Sequence, residues 1–172
     1  CYADTARTHD SHNGDTMMPH ANTTVRECPG DLWQFYAVGE VIAIPTNGIV
    51  KSNGDAVMGA GLAKDAASRF PDLPKWLGDR LKQFGNVPVY FRTLRLITLP
   101  TKHDWKDLSS LTLICDSINY CARHILRPEG IPRIYCSHLG CGHGGLHWQT
   151  VRDAIATHVD DRFIFVAPPT QE

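Results

Sequence analysis

Between Arg26 and Pro168, short apolar runs alternate with longer stripes at helical spacing, and no other feature constrains the fold as strongly. VGEVIAI (Val38–Ile44), VPVYF (Val87–Phe91), LRLITL (Leu94–Leu99), PRIYCSHL (Pro132–Leu139) and FIFVA (Phe163–Ala167) read as strands, rich in β-branched and aromatic residues. Ala60 to Phe70 reads as a helix stopped by Pro71. A second helix follows Pro74, with Trp76, Leu77, Leu81 and Phe84 on one face and Gly85 as its stop. Leu108, Leu111, Cys115, Ile118, Ala122 and Ile125 form the clearest amphipathic stripe, with Asp107 or Ser109 as its N-cap. Trp148, Val151, Ala154, Ile155 and Val159 form another. Strands alternating with helices of about a dozen residues predict an α/β layer fold with a mixed, mostly parallel sheet. Ligands of such sheets bind outside the carboxyl ends of the strands, so the strand exits carry the functional information.

At 172 residues and 42% apolar, the chain holds one domain with a real core. Seventeen Lys and Arg against eighteen Asp and Glu exclude the polyelectrolyte surface of a non-specific nucleic-acid binder, though not a local basic patch. No apolar run reaches the ~20 residues of a membrane span, and no basic-then-apolar leader opens the chain. The expectation is a cytoplasmic monomer with no membrane partner, its six cysteines (Cys1, Cys28, Cys115, Cys121, Cys136, Cys141) reduced. Residues 1–25 lack any apolar period and read as a flexible or surface-draped extension; residues 26–172 form the domain. Met17 or Met18 is the expected natural start, and His9, His12 and His20 are expected to be solvated rather than metal ligands.

Two glycine-rich exits stand out. After the first strand, Thr46 and Asn47 precede Met58-Gly59-Ala60-Gly61-Leu62-Ala63, which runs into a helix. After Pro132–Leu139 comes Gly140-Cys141-Gly142-His143-Gly144-Gly145-Leu146-His147-Trp148, with four glycines in six residues, again opening a helix. Small residues let the backbone approach a ligand, and free N–H groups at a helix start favour an anion. Either loop alone is equally a tight turn; together they favour a diphosphate held between them. Neither is a Walker A loop or a GxGxxG placed after a first strand.

These segments, with Gly30-Asp31-Leu32 and Pro100-Thr101-Lys102-His103-Asp104-Trp105, resemble a macrodomain over residues 26 to 168. The likeness is to the bacterial and phage branch that includes DNA-ADP-ribosyl glycohydrolase antitoxins. It implies a three-layer α/β/α fold whose cleft takes ADP-ribose, with no cofactor or metal. It implies that Asp31, beside Leu32, receives the adenine amino group. Asn47 faces the distal ribose, and Thr46, Met58, Gly59, Ala60, Gly61 and Leu62 form one wall of the cleft. Gly140, Cys141, Gly142, His143, Gly144, Gly145 and Leu146 form the other wall, and Phe165 or Val166 packs on adenine.

The resemblance also singles out Lys102 for catalysis, with His143 and Asn47 beside it. An amine next to an oxocarbenium-like ribose C1″ acts as nucleophile or electrostatic stabiliser, most readily where burial favours its neutral form. His103 and Asp104 are neighbours able to orient it. Asp55 is either a ribose contact or a turn residue. His143 and His147 replace the Asn and Asp common in the second loop, and Gly144 or Gly145 stands where some related hydrolases carry an Asp. His143 offers acid/base chemistry near neutral pH. Cys136, His138, Cys141, His143 and His147 are zinc-ligand types within twelve residues, but they cross from strand through loop to helix and match no paired module. The expected function is removal of mono-ADP-ribose from a modified protein or nucleic acid, without sequence-specific nucleic-acid binding. The alternatives are a non-catalytic ADP-ribose reader and an ADP-ribose-1″-phosphate phosphatase.

Overall fold

The computed structural model describes residues 24–168. The expectations for His9, His12, His20 and the Met17-Met18 start lie outside the described residues. The elements are β1 (Arg26–Pro29), α1 (Leu32–Ala37), β2 (Ile42–Asn47), α2 (Gly61–Arg69), α3 (Leu73–Phe84), β3 (Val89–Phe91), β4 (Leu96–Lys102), α4 (Leu111–Cys121), α5 (Arg127–Glu129), β5 (Ile134–Ser137), α6 (Trp148–Ile155) and β6 (Phe163–Ala167). A π-helical turn, Ala122–Leu126, joins α4 to α5.

The sheet runs β1-β6-β5-β2-β4-β3. Every neighbouring pair is parallel except β3 with β4. Alternation along the strands divides the core in two. Ile42, Ile44, Leu96 and Val166 pack under α1, α2 and α3. Ala43, Ile97, Leu99, Cys136, Phe163 and Phe165 pack under α4, α6 and the π turn, together with Val25. The result is the expected three-layer α/β/α arrangement, with both sheet faces covered as parallel strands require.

Some boundaries differ from the sequence reading for local reasons. β2 begins at Ile42, because Val38 is the C-cap of α1 and Gly39 turns the chain at φ +99°. Pro45 is tolerated inside β2 because β5 pairs with that strand only at Ile42 and Ala43. In α3 the buried face is Leu73, Leu77, Gly78 and Leu81, while Trp76 and Phe84 are exposed. Gly78 is required there, since a Cβ would run into the backbone carbonyl of Gly54. α4 is capped by Ser110, whose hydroxyl accepts from the Leu113 amide at 3.2 Å, so Leu108 lies outside the helix. α6 stops at Ile155, short of Val159.

Candidate functional site

Because β1, β6, β5, β2 and β4 are parallel, their carboxyl ends open on one side of the molecule. Asp31 follows β1, Asn47 ends β2 and Lys102 ends β4. The sheet order therefore spreads Asp31 and Lys102 over four strand intervals, or ~19 Å at the usual inter-strand spacing. The glycine loops leave β2 and β5, which are neighbours, so the two loops stand side by side between those ends. They meet at one point: the Cβ position of Gly61 is 3.7 Å from Cδ2 of His143.

At the β1 end, Asp31 caps α1 by accepting the Trp33 amide on Oδ1 at 2.8 Å. Oδ2 has no hydrogen-bond partner among the described residues, and Asp31 is exposed. One carboxylate can thus hold the helix and still offer an acceptor. Leu32 is buried in the core, so only its backbone faces the exit.

In the first loop, Asn47 is a brace. Its Nδ2 donates to the Val57 carbonyl at 2.9 Å, and its Oδ1 accepts from the Ile49 amide at 3.1 Å. Thr46 and Met58 are buried, which anchors both ends of the loop in the core. Gly59 faces open space, and Gly61 has φ +54°. Ala60 is the N-cap of α2, contributes no side-chain cap, and is followed by no acidic residue in the first turn. The amides at this helix start, near Leu62, remain available to an anion. Asp55 is a turn residue, bonded with Asn53 in both directions.

The second loop separates its glycines by role. Gly140, Gly144 and Gly145 are pressed against Ile114, Ser109 and Leu108, and a Cβ on any of them meets a side chain. Gly142, at φ +66°, faces open space. The Ser109 amide donates to the Gly144 carbonyl at 2.9 Å, which fastens the loop to the entry of α4. Cys141 and Leu146 are half-buried; Leu146 packs on the α4/α6 core, and Cys141 bonds weakly to the Leu139 carbonyl at 3.7 Å. His147 is the N-cap of α6 and makes no side-chain cap bond.

A bulge joins the two sides. Thr46 pairs with Pro100 but Asn47 pairs with Lys102, so β4 carries an extra residue, Thr101, whose carbonyl accepts from Ser110 at 2.9 Å. Lys102 Nζ then donates to the His143 carbonyl at 3.0 Å and to the Trp105 carbonyl at 3.4 Å. An ammonium has three donors, so one remains. The Lys102 carbonyl is held by Asn86 Nδ2 at 3.0 Å, a contact the sequence did not reveal. Asp104 accepts the Lys106 amide at 3.0 Å and so belongs to its own turn; the His103 carbonyl holds Gly48.

Phe165 and Val166 do not reach the groove. Phe165 is fully buried, with the Trp148 ring 5.2 Å above it, and Val166 is buried on the opposite sheet face. A continuous apolar run in a central strand is covered on both faces, and FIFVA is such a run. The cysteines and histidines of this region also diverge. Cys136 is buried under α4 and α6, and His138 lies flat on Trp148 with ring centroids 4.0 Å apart. Among the described residues, no three His, Cys, Asp or Glu side chains gather as metal ligands.

Glu27 on β1 was not foreseen. It accepts from Trp148 Nε1 at 2.6 Å and lies 3.2 Å from His138 Nε2 and 3.4 Å from Arg152. Burial lowers the His138 pKa from its ordinary value, against the opposing pull of Glu27. Burial also pushes the Cys121 thiol up to about 12 and the Cys136 thiol well above the usual range. The five described cysteines are all unpaired. A hollow of about 410 Å³, lined by Arg80, Tyr90, Arg92, His124 and Glu129, lies along β3, away from these strand exits.

No family model matches the chain. Among solved structures it is similar to Thermosipho africanus DarTG in complex with ADP-ribose, with a TM-score of 0.62 and 26% identity over 81% of this chain and 40% of that one. It is also similar to the macrodomain of Thermus aquaticus DarG, with a TM-score of 0.61 and 24% identity over 84% of this chain and 98% of that one. The chain has a macrodomain fold. A curated relative, the DNA ADP-ribosyl transferase-DNA ADP-ribosyl glycohydrolase fusion protein of Thermosipho africanus (strain H17ap60334), is 29% identical over 146 aligned residues. That alignment takes in 71% of this chain but 35% of the relative, so the macrodomain spans about a third of the fusion protein's length. No helix among the described residues is long and apolar enough to cross a membrane.

Proposed function

We propose that this macrodomain binds ADP-ribose along the line of strand ends from Asp31 to Lys102 and hydrolyses it from a modified nucleic acid. The observation that carries the reading is the pairing of Asn47 with Lys102 across the bulge, directly beside the junction of both glycine loops. Asp31 Oδ2 takes the adenine amino group. The diphosphate lies over the free amides of α2 and beside Gly59 and Gly142, the two loop glycines that face open space. Asn47 holds the first loop against the distal ribose. Lys102 is the catalytic residue, its amine held at the reacting C1″ end by the His143 and Trp105 carbonyls. His143 stands at the junction of the two loops, its ring 3.7 Å from the Cβ position of Gly61.

The reaction breaks the glycosidic bond from C1″ to the acceptor atom of the base. Water supplies the hydroxyl that ends on C1″ and the proton that ends on the base. The choice of a nucleic-acid acceptor rests on the glycohydrolase named in the curated relative, together with the likeness to DarG. The test is release of ADP-ribose from an ADP-ribosylated single-stranded oligonucleotide. Wild type releases it, and Lys102→Ala binds ADP-ribose but releases none.

A second reading, a reader that binds without hydrolysis, draws support from the second loop. A Cβ on Gly144 runs into Ser109 and Gly145 sits at φ +75°, so an Asp of the kind some related hydrolases carry there would be strained at either place. Tight binding with no release from any modified oligonucleotide or peptide selects this reading.

A further inference from the structure

The segment between β4 and α4 presents an unusual surface. Trp105 is 50% exposed and Leu108 is 72% exposed, three residues apart, in a stretch that begins at Lys102. Two large apolar side chains exposed close together on a strand-exit loop offer area that a partner can remove from water. Both are fixed to the site. The Trp105 carbonyl accepts from Lys102 Nζ, and the Leu108 side chain lies against Gly145 of the second loop. Lys106 Nζ stands 5.3 Å from the centroid of the Trp105 ring.

Direction decides what could cover this shelf. ADP-ribose laid from Asp31 to Lys102 ends its distal ribose at β4, and only the edge strand β3 lies beyond. Whatever is attached at C1″ therefore leaves past Lys102, toward residues 103–108. An exposed indole with a cation beside it matches a nucleobase followed by a phosphate, since bases stack on aromatic side chains whatever their sequence. Two carboxylates flank the shelf, Asp104, which is half-buried and accepts the Lys106 amide, and Asp107, which is exposed; Lys106 is the cation that offsets them beside the indole.

We infer that Trp105 is a specificity residue that stacks on the base next to the ADP-ribosylated nucleotide, with Lys106 against the intervening phosphate. This inference rests on the proposed ADP-ribose reading of the cleft. It makes the substrate a single strand, in which bases are free to splay onto the indole, and it makes one flanking nucleotide part of recognition.

The experiment compares kcat/KM for an ADP-ribosylated single-stranded oligonucleotide of about ten nucleotides with that for the ADP-ribosylated nucleoside alone. It uses wild type, Trp105→Ala and Trp105→Phe. Wild type is expected to favour the oligonucleotide by about tenfold or more, the range of one base–aromatic stack. Trp105→Ala is expected to bring the ratio close to one, and Trp105→Phe to restore most of it. A ratio unchanged in Trp105→Ala overturns the inference, as does an equal fall for both substrates, which would mean that Trp105 acts only through Lys102. An ADP-ribosylated peptide gaining the same advantage from Trp105 assigns the shelf to protein acceptors and also overturns it. Where the chain binds without turnover, the same ratio is read from dissociation constants. Failure of wild type to bind free ADP-ribose is the separate result that overturns the cleft reading itself.

Discussion

Lys102 Nζ donates to the His143 carbonyl at 3.0 Å, so the side chain assigned to the chemistry also fastens the end of β4 to the second glycine loop. Lys102→Ala therefore removes a catalytic group and a loop tie together. Hydrogen exchange should report faster opening at His143, Gly144 and Gly145 in that variant, while the core strands keep their protection. Lys102→Arg should keep the tie, because a guanidinium also donates to carbonyls, yet lose turnover because it cannot act as a nucleophile. Full activity in Lys102→Arg would leave only an electrostatic role for this position.

Asp31 separates folding from binding. Its Oδ1 caps α1, and an asparagine at an N-cap serves equally well. Asp31→Asn should melt within a degree or two of wild type and bind ADP-ribose at least tenfold more weakly. Asp31→Ala should show the same loss of affinity and, in addition, about 1 kcal/mol of lost stability in urea titration. Equal affinity in all three proteins would remove Asp31 from the adenine site.

The glycines divide in the same way. Gly144→Ala would press a methyl into Ser109 and should cost about 1–3 kcal/mol with or without ligand. Gly59→Ala meets open space and should fold normally, but its methyl stands where the ligand is proposed to lie. Thermal melts with and without ADP-ribose read both effects: a lowered midpoint for Gly144→Ala, and a lost ligand-induced rise for Gly59→Ala.

Most of the layer order was legible because parallel strands buried on both faces must be largely apolar; FIFVA is apolar throughout, and Leu96–Leu99 is broken only by the buried Thr98. The two exits drew notice because a pair of glycine clusters at strand ends of one sheet favours an anion between them, although either alone is equally a tight turn. What stayed hidden was either short or tertiary. β1 and α1, at four and six residues, are too brief to show a period. The role of Gly144 and Gly145 depends on Ser109 and Leu108, some 35 residues earlier in the chain. Val38 passed for a strand residue by type alone, and only the turn at Gly39 moves the strand start to Ile42. Phe165 was placed near adenine by the family likeness, whereas the FIFVA pattern itself already argued for burial.

His138 gives the fold a pH dependence of known sign. Burial lowers its folded pKa below the ordinary 6.5, so the unfolded chain binds more protons in that window. The associated stability is fully present above pH 6.5 and is lost as pH falls from there through the lowered value. Urea midpoints should drop between pH 7 and pH 5, and the drop should be smaller in His138→Gln. An equal drop in both proteins would place the titration elsewhere.

Whether the groove from Asp31 to Lys102 takes ADP-ribose is read from calorimetric titration of ADP-ribose into the 172-residue chain. The expected result is one site per chain, weakened at least tenfold (about 1.4 kcal/mol) by Asp31→Asn. An absence of heat together with an unchanged melting temperature at saturating ADP-ribose would contradict it.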